Sequence, residues 1–303
     1  MNFKKIWLKI IDSKKYLEYK SKKVQENKKS IYRNKIKKYL EDIDLVLKKR
    51  DEISFLHSGH LGDSINALPL IREISKNKKC NYFIEAEKKI PEHVKNSFHP
   101  FGDVYLSQKS VDMILPLFKR QSYLNSVEQF RNQKIDINLN FFREFPMNFN
   151  LDSVRWYFHL TGIHPNLNEP YLEVDSHKNF KKKIVIIRSS RRKNPLINYR
   201  FLNDYKEIIF LGLKSEFLDL KKDIKNLEFY DCKNFLEMAE IVKNSKVFIG
   251  NLSLGYTLAE GLKVPRLLES NPDFPLVYPN GGNGYDFYFQ NHFENIFKKL
   301  YSS

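Results

Sequence analysis

From residue 51 onward, short β-rich apolar runs alternate with helical stretches, and the alternation occurs twice with a break between the two series. Strands separated by helices return through crossovers and lie parallel, so the pattern predicts an α/β fold. The first series opens with a strand at Ile53–His57, turns through Ser58–Asp63 and enters a helix over Ser64–Lys76. Further strands are expected at Asn81–Glu85, Val111–Leu115 and Ile135–Phe141, then a helical region between Glu144 and Ile163. His164–Pro170 carries two prolines among polar residues and reads as a linker. The second series starts at Lys183–Arg188, apolar enough for a strand buried on both faces. It continues with strands at Glu207–Gly212, Leu227–Tyr230, Lys246–Gly250 and Arg266–Glu269, and helices over Asn234–Asn244, Ser253–Lys263 and Phe287–Tyr301, with a loop at Asn280–Gly284. The expectation is two Rossmann-like domains, residues 51–168 and 169–303, facing each other across a cleft, with ligands at the carboxyl ends of the strands.

A chain of 303 residues is long enough for two domains, and 42% hydrophobic with 14% aromatic residues excludes intrinsic disorder. The charge is unevenly placed. Residues 1–50 hold 17 Lys and Arg against 6 Asp and Glu, a net +11 of the chain's +16. In the same segment Phe3, Ile10, Leu17, Val24 and Ile31 recur every seven residues, followed by Ile36, Tyr39, Leu40, Ile43, Val46 and Leu47 at three- and four-residue steps. That predicts a basic amphipathic helical extension over 1–50. Its stripe either packs on the chain's own globular part or lies against an anionic membrane surface, with Trp7 and Phe3 at the interface. No nucleic-acid-binding signature accompanies the charge, and no nucleic-acid partner is expected.

Cys80 and Cys232 stand far apart with no Cys or His at ligand spacing, which argues against a zinc site or a disulfide framework. With no apolar run of about 20 residues and an N-terminus too interrupted by lysine for a signal peptide, the expected location is cytoplasmic, at most peripheral on the inner face of a membrane.

The sharpest local signal is the run from His57 to Leu70. Gly59 and Gly62 allow a tight strand-to-helix turn with close backbone approach, and Asp63 stands at the helix start. An aspartate there is either an N-cap that satisfies open amides or a carboxylate presented to a ligand. His57 and His60 flank the loop, where packing or hydrogen bonding is the commoner role. A second signal spans Val247–Arg266, in which a strand ends in Gly250, a polar turn follows at Asn251 and Ser253, and a helix of small residues begins, the make-up of an anion pocket. The third is Arg188-Ser189-Ser190-Arg191-Arg192-Lys193 at the end of the first strand of the second series. Arginine forks and hydroxyls there suit a pyrophosphate, or form an exposed basic loop.

The stretch Ser58-Gly-His-Leu-Gly-Asp-Ser-Ile-Asn-Ala-Leu-Pro69 resembles the first βα turn of the heptosyltransferase-like glycosyltransferase family 9, of GT-B architecture. The resemblance covers residues 51 to about 290. It implies a glycosyltransferase that moves a sugar from a nucleotide-sugar donor to a glycan or glycolipid acceptor, as in lipopolysaccharide or capsule, with inversion and without a metal or other cofactor. Asp63 would be the general base, with Gly59, His60 and Gly62 in the acceptor loop. Arg188, Ser189, Ser190, Arg191, Asn251, Ser253, Thr257 and Glu260 would hold the donor, Glu260 near the ribose. Where the family commonly has an Asp-Thr-Gly triplet and a following histidine, this chain has Leu252, Ser253, Leu254 and Thr257, so the donor sugar is left open. The only Asp-x-Asp, Asp42-Ile43-Asp44, lies in the basic segment and not at a strand end. Two other readings stay open: a nucleotide-sugar epimerase or phosphorylase of similar build, and a non-enzymatic membrane or nucleic-acid adaptor acting through residues 1–50.

Overall fold

The computed structural model describes residues 7, 9–91, 102–147, 149–180, 183–271 and 273–302. Two all-parallel sheets organise the chain. The first, in the order β3-β2-β1-β4, is built from β1 (Glu52–His57), β2 (Lys79–Ile84), β3 (Ser126–Gln129) and β4 (Ile137–Asn138). The second runs β10-β9-β8-β5-β6-β7, from β5 (Ile184–Ile187), β6 (Ile208–Leu211), β7 (Glu228–Tyr230), β8 (Val247–Asn251), β9 (Arg266–Glu269) and β10 (Gly284–Phe287). Counted from β5, that order is 3-2-1-4-5-6, the doubly wound arrangement with its switch point between β5 and β8. In the first sheet the strand order reverses between β1 and β4.

Helices α1 (Ser13–Ile31), α2 (Lys37–Lys49), α3 (Leu61–Asn66), α4 (Leu68–Ser75), α5 (Gln108–Lys119) and α6 (Val154–Thr161) accompany the first sheet. Helices α7 (Lys214–Leu220), α8 (Phe235–Lys243), α9 (Leu254–Leu262) and α10 (Gln290–Ser302) accompany the second. The fully buried strand β5 divides its side chains by the two-residue period: Ile184 and Ile186 join the core under α10, while Val185 and Ile187 face the other way. That second face is continuous with the core of the first sheet, because α5 lies against α8 and α3 against α9. An apolar seam therefore holds the two sheets together beneath the cleft.

Several local expectations change. Residues 111–115 are helical, inside α5: Ser107 caps its N-terminus, and Val111, Ile114, Leu117 and Phe118 are buried at helical spacing, a period a five-residue apolar run cannot reveal. The expected strand over 135–141 pairs only at Ile137–Asn138 before a 3₁₀ turn, Leu139–Glu144, carries the chain away. Of the helical region 144–163 only α6 forms, ended by Gly162 at φ +72°. The helix after Asp63 breaks at Ala67 into α3 and α4. Edge strands β3 and β10, polar and short, carry too little periodicity to be read beforehand.

The basic segment 1–50 divides in two. In α2, Ile43 is buried and Tyr39, Leu40, Val46 and Leu47 pack on the core. The Tyr39 hydroxyl donates to the Asn138 carbonyl (3.2 Å) and accepts from the Asn138 amide (2.9 Å), and its ring stacks on Phe141 at 3.7 Å. After a π-helical turn, Tyr32–Ile36, whose Ile36 is also buried, this half packs on the core beside the first sheet. By contrast α1 buries none of its residues: Leu17 is 63% and Val24 48% exposed, and Trp7, Ile10 and Ile11 before it are exposed too. Phe3 lies outside the described residues. Among the described residues no helix is long and apolar enough to cross a membrane.

Candidate active site

Both switch points are closed by the same device. Past the end of β1 the Ser58 amide donates to the Asn140 side-chain oxygen (3.0 Å), and past the end of β5 the Ser189 amide donates to the Asn251 side-chain oxygen (2.8 Å). Asn251 also donates back to the Ser189 carbonyl at 2.8 Å, so its buried amide joins the ends of β5 and β8. Each bracket satisfies a backbone group that the sheet has ceased to pair, and leaves the crevice between the strands open above it.

In the first crevice Asp63 occupies the first turn of α3, its side chain 20% exposed. Behind it runs an ordered chain of hydrogen bonds. Burial first, then the charges of Arg143, His60 and Lys88, hold the imidazole of His57 well below its ordinary range, so the ring is neutral. Its Nδ1 accepts from the Gly59 amide (3.0 Å), which puts the proton on Nε2. Nε2 donates to the Tyr157 hydroxyl (2.8 Å), and Tyr157 donates to the Asp63 carbonyl (2.8 Å). This fixes the backbone of Asp63 while leaving its carboxylate to the cleft. His60, the residue before α3, donates from Nδ1 to the Tyr105 carbonyl at 3.2 Å. Burial lowers its pKa, against the charge of Asp63 and the hydrogen bond to the Tyr105 carbonyl, and Arg143 and then Arg191 lower it further.

Beside Asp63 stands Arg143, which the sequence reading did not single out. Its Nη2 lies 3.6 Å from Asp63 Oδ2, its Nη1 donates to Asn140 at 2.9 Å, and its guanidinium lies 4.5 Å from the Phe142 ring centre and 4.8 Å from that of Tyr105. Gly59 makes room for the pair. A Cβ there would come within 2.7 Å of Arg143 Nη2 and 3.2 Å of Asp63 Oδ2.

In the second crevice the candidate donor residues fall into two sets. Arg188 turns its fork onto Glu269, with Nε at 2.6 Å and Nη2 at 2.8 Å, and both side chains are buried (7% and 0% exposed). The Tyr199 hydroxyl (2.7 Å) and the Asn194 amide (2.6 Å) complete the shell of Glu269. Glu260 is equally engaged: it accepts from Arg266 Nε at 2.6 Å, from the Asn280 amide at 3.1 Å and from Lys263. Arg266 is fully buried. The oxygens of Glu260 are therefore held by the protein and not presented to a ribose. The side chain of Asn251 and the backbone of Ser189 are spent on each other.

The remaining set lies at the end of β5 and the start of α9. Arg191 is exposed and makes no ion pair among the described residues, and the Ser190 amide is held by Glu216 at 3.0 Å. Ser253 precedes α9 with no side-chain cap on the helix, its hydroxyl donating instead to the Asn251 carbonyl at 3.0 Å. The first-turn amides of α9 are therefore open to an anion. Gly255 seats this helix: a Cβ there would fall 2.5 Å from the Ile187 side chain, so only glycine lets α9 start directly over the end of β5. Thr257 donates to the Ser253 carbonyl (3.2 Å) and packs against Gly62, whose added Cβ would be 3.3 Å from Thr257 Oγ1. Residues 195 positions apart thus meet, and Asp63, one residue on from Gly62, shares the seam with the first turn of α9. Among the described residues no group of three or more His, Cys, Asp or Glu side chains could hold a metal ion.

Two doubly wound parallel sheets, joined where Gly62 meets Thr257, make a GT-B-like α/β protein. The chain matches no protein-family model, and no curated protein matches it in sequence. Among solved structures it is similar to the E. coli heptosyltransferase WaaC with ADP-2-deoxy-2-fluoro heptose, at 10% identity and a TM-score of 0.55 over 82% of this chain and 99% of that one. It is also similar to E. coli ADP-heptose LPS heptosyltransferase II, at 11% identity and a TM-score of 0.53 over 83% of this chain and 98% of that one. At such identities the likeness is one of fold, and the chain has the fold of the heptosyltransferases.

Proposed function

We propose that the chain is a glycosyltransferase that moves a sugar from a nucleotide-sugar donor to a hydroxyl of a glycan or glycolipid acceptor of the lipopolysaccharide or capsule kind, inverting the anomeric carbon and needing no metal. The observation that carries the reading is the contact of Gly62 with Thr257, which joins the loop of Asp63 to the helix start that suits a diphosphate. Asp63 takes the proton of the acceptor hydroxyl as its oxygen bonds to the anomeric carbon. The bond from that carbon to the donor phosphate breaks, and the electron pair leaves with the nucleoside diphosphate. The open amides of α9 and the guanidinium of Arg191 receive the charge that develops there. Because the similar structures are an ADP-sugar complex and an ADP-heptose enzyme by name, ADP-sugars head the donors to test. A panel of nucleotides and nucleotide sugars, read by thermal shift, identifies the donor, since a ligand at 100 times its Kd adds about 2.7 kcal/mol. Release of nucleoside diphosphate should then require an acceptor. Turnover of the donor alone would favour an epimerase or phosphorylase.

Arg191→Ala is expected to weaken donor binding by about 1.5–3 kcal/mol, the worth of a hydrogen bond to a charged group, with no loss of melting temperature. Unchanged nucleotide affinity in this variant would move the phosphate site elsewhere.

The reading includes work at the inner face of a membrane. Helix α1 holds seven lysines against two glutamates over Ser13–Ile31 and buries nothing. A helix that packs nothing forgoes the tertiary contacts from which most helical stability comes, and a basic one gains about 1 kcal/mol per lysine near anionic lipid. The full chain should co-sediment with anionic liposomes at low salt and come off as salt rises. A chain lacking residues 1–32 should keep its cooperative melt and nucleotide affinity yet stay in the supernatant, because the buried Ile36 and Ile43 are retained. Equal sedimentation of the two chains would end the membrane reading of α1.

A further inference from the structure

We infer that Arg143 is a positioning residue for Asp63, holding the proposed base in its working orientation; the inference rests on the reading of Asp63 given above. Three features carry it. The guanidinium is fixed before any ligand arrives, by Asn140 on one nitrogen and by the rings of Phe142 and Tyr105. Asn140 also holds the Ser58 amide, so one side chain sets the loop before α3 and the arginine together. Finally, the separation from Asp63 is 3.6 Å, within ion-pair reach but too long to consume a carboxylate oxygen in a hydrogen bond. Asp63 thus keeps an accepting oxygen for the acceptor hydroxyl while its charge is directed by a fixed cation. A tighter bidentate pair would have oriented the carboxylate and occupied it.

Glycine at 59 is part of the device. A methyl group there would come within 2.7 Å of Arg143 Nη2 and of His57 Cε1 and within 3.2 Å of Asp63 Oδ2, disturbing the pair together with the buried ring behind it, without changing a charge. Gly59→Ala should therefore lower kcat in the same direction as Arg143→Met, with the displaced His57 ring adding to the effect.

The test is a double-mutant cycle on the full chain, with turnover measured at saturating donor and acceptor in a chemistry-limited assay. Arg143→Met alone is expected to lower kcat about 10²-fold, the cost of misplacing a reacting group. The KM for donor should be unchanged and the melt still cooperative. Arg143→Lys should recover part of the loss, because a shorter cation on the same path restores the charge without the fork. In the Asp63→Asn background Arg143→Met should cost no more than about 2-fold, since groups acting as a unit are non-additive. Independent, multiplying losses would overturn the inference, as would a loss confined to donor KM or no recovery by lysine in a variant that melts as the parent does. If Asp63→Asn alone leaves kcat intact, what fails is the assignment of the base. Should Arg143→Met lose its cooperative melt, Arg143→Lys carries the cycle in its place, with the same 2-fold ceiling in the Asp63→Asn background deciding the outcome.

Discussion

Asp63→Asn should leave nucleotide affinity and the melting transition nearly unchanged while lowering turnover by about 10²–10⁴-fold, the usual worth of a general base. The substitution is isosteric and the fold has little hold on the group it removes. Tyr157 binds the backbone carbonyl of Asp63 and not its carboxylate, and the ion pair to Arg143 is part-exposed and 3.6 Å long. Such a pair contributes at most about 1 kcal/mol. Binding and chemistry therefore separate in this variant. Near-parental turnover in an assay limited by chemistry would place the base elsewhere in the cleft, and the glycosyl-transfer reading would lose its central residue.

Arg188→Ala is expected to act mainly on stability, by about 3–5 kcal/mol in denaturant unfolding, because it strands a buried carboxylate. Glu269 is fully buried and would keep only the Tyr199 hydroxyl and the Asn194 amide. Against the roughly 5–15 kcal/mol that holds a typical domain together, this is a large fraction. The paired variant Arg188→Met with Glu269→Gln removes both charges and should recover most of the loss. If Arg188→Ala unfolds like the parent but binds nucleotide poorly, the guanidinium serves the donor after all. The contrast with Arg191, whose loss should cost affinity and not stability, follows from the tertiary structure: two arginines three residues apart at the same strand end meet different surroundings, one buried against Glu269 and one exposed.

That pair also shows where reading the chain stops being enough. Sequence pattern carries the residue type and the local turn, and it placed Arg188-Ser-Ser-Arg191 at the end of a strand, where β5 indeed ends. The partner that claims Arg188 is 81 residues away on β9, and nothing near either residue announces it. Glu260 is a similar case: three donors converge on it from Lys263, Arg266 and Asn280, all within 20 residues, but only the fold turns them inward. Arg143 was invisible for the opposite reason. It sits in a 3₁₀ turn of aromatic residues with no motif around it, and gains its meaning from lying beside Asp63, 80 positions earlier.

By itself the sequence determined the two βα series, the turn chemistry at Gly59–Asp63 and at Gly250–Ser253, and the concentration of positive charge before residue 51, because these depend on periodicity, glycine and capping residues acting over a few positions. Tertiary structure alone decided that residues 37–49 pack on the core beside the first sheet while α1 stands off it. It also decided that residues 111–115 are helix, that Arg188 and Glu260 are buried in ion pairs, and that the two glycine turns face each other across Gly62 and Thr257. Each of those depends on contacts between segments tens to hundreds of residues apart. A short apolar run or a lone charge carries the same local preferences whichever partner it finally meets, and burial against that partner selects among them.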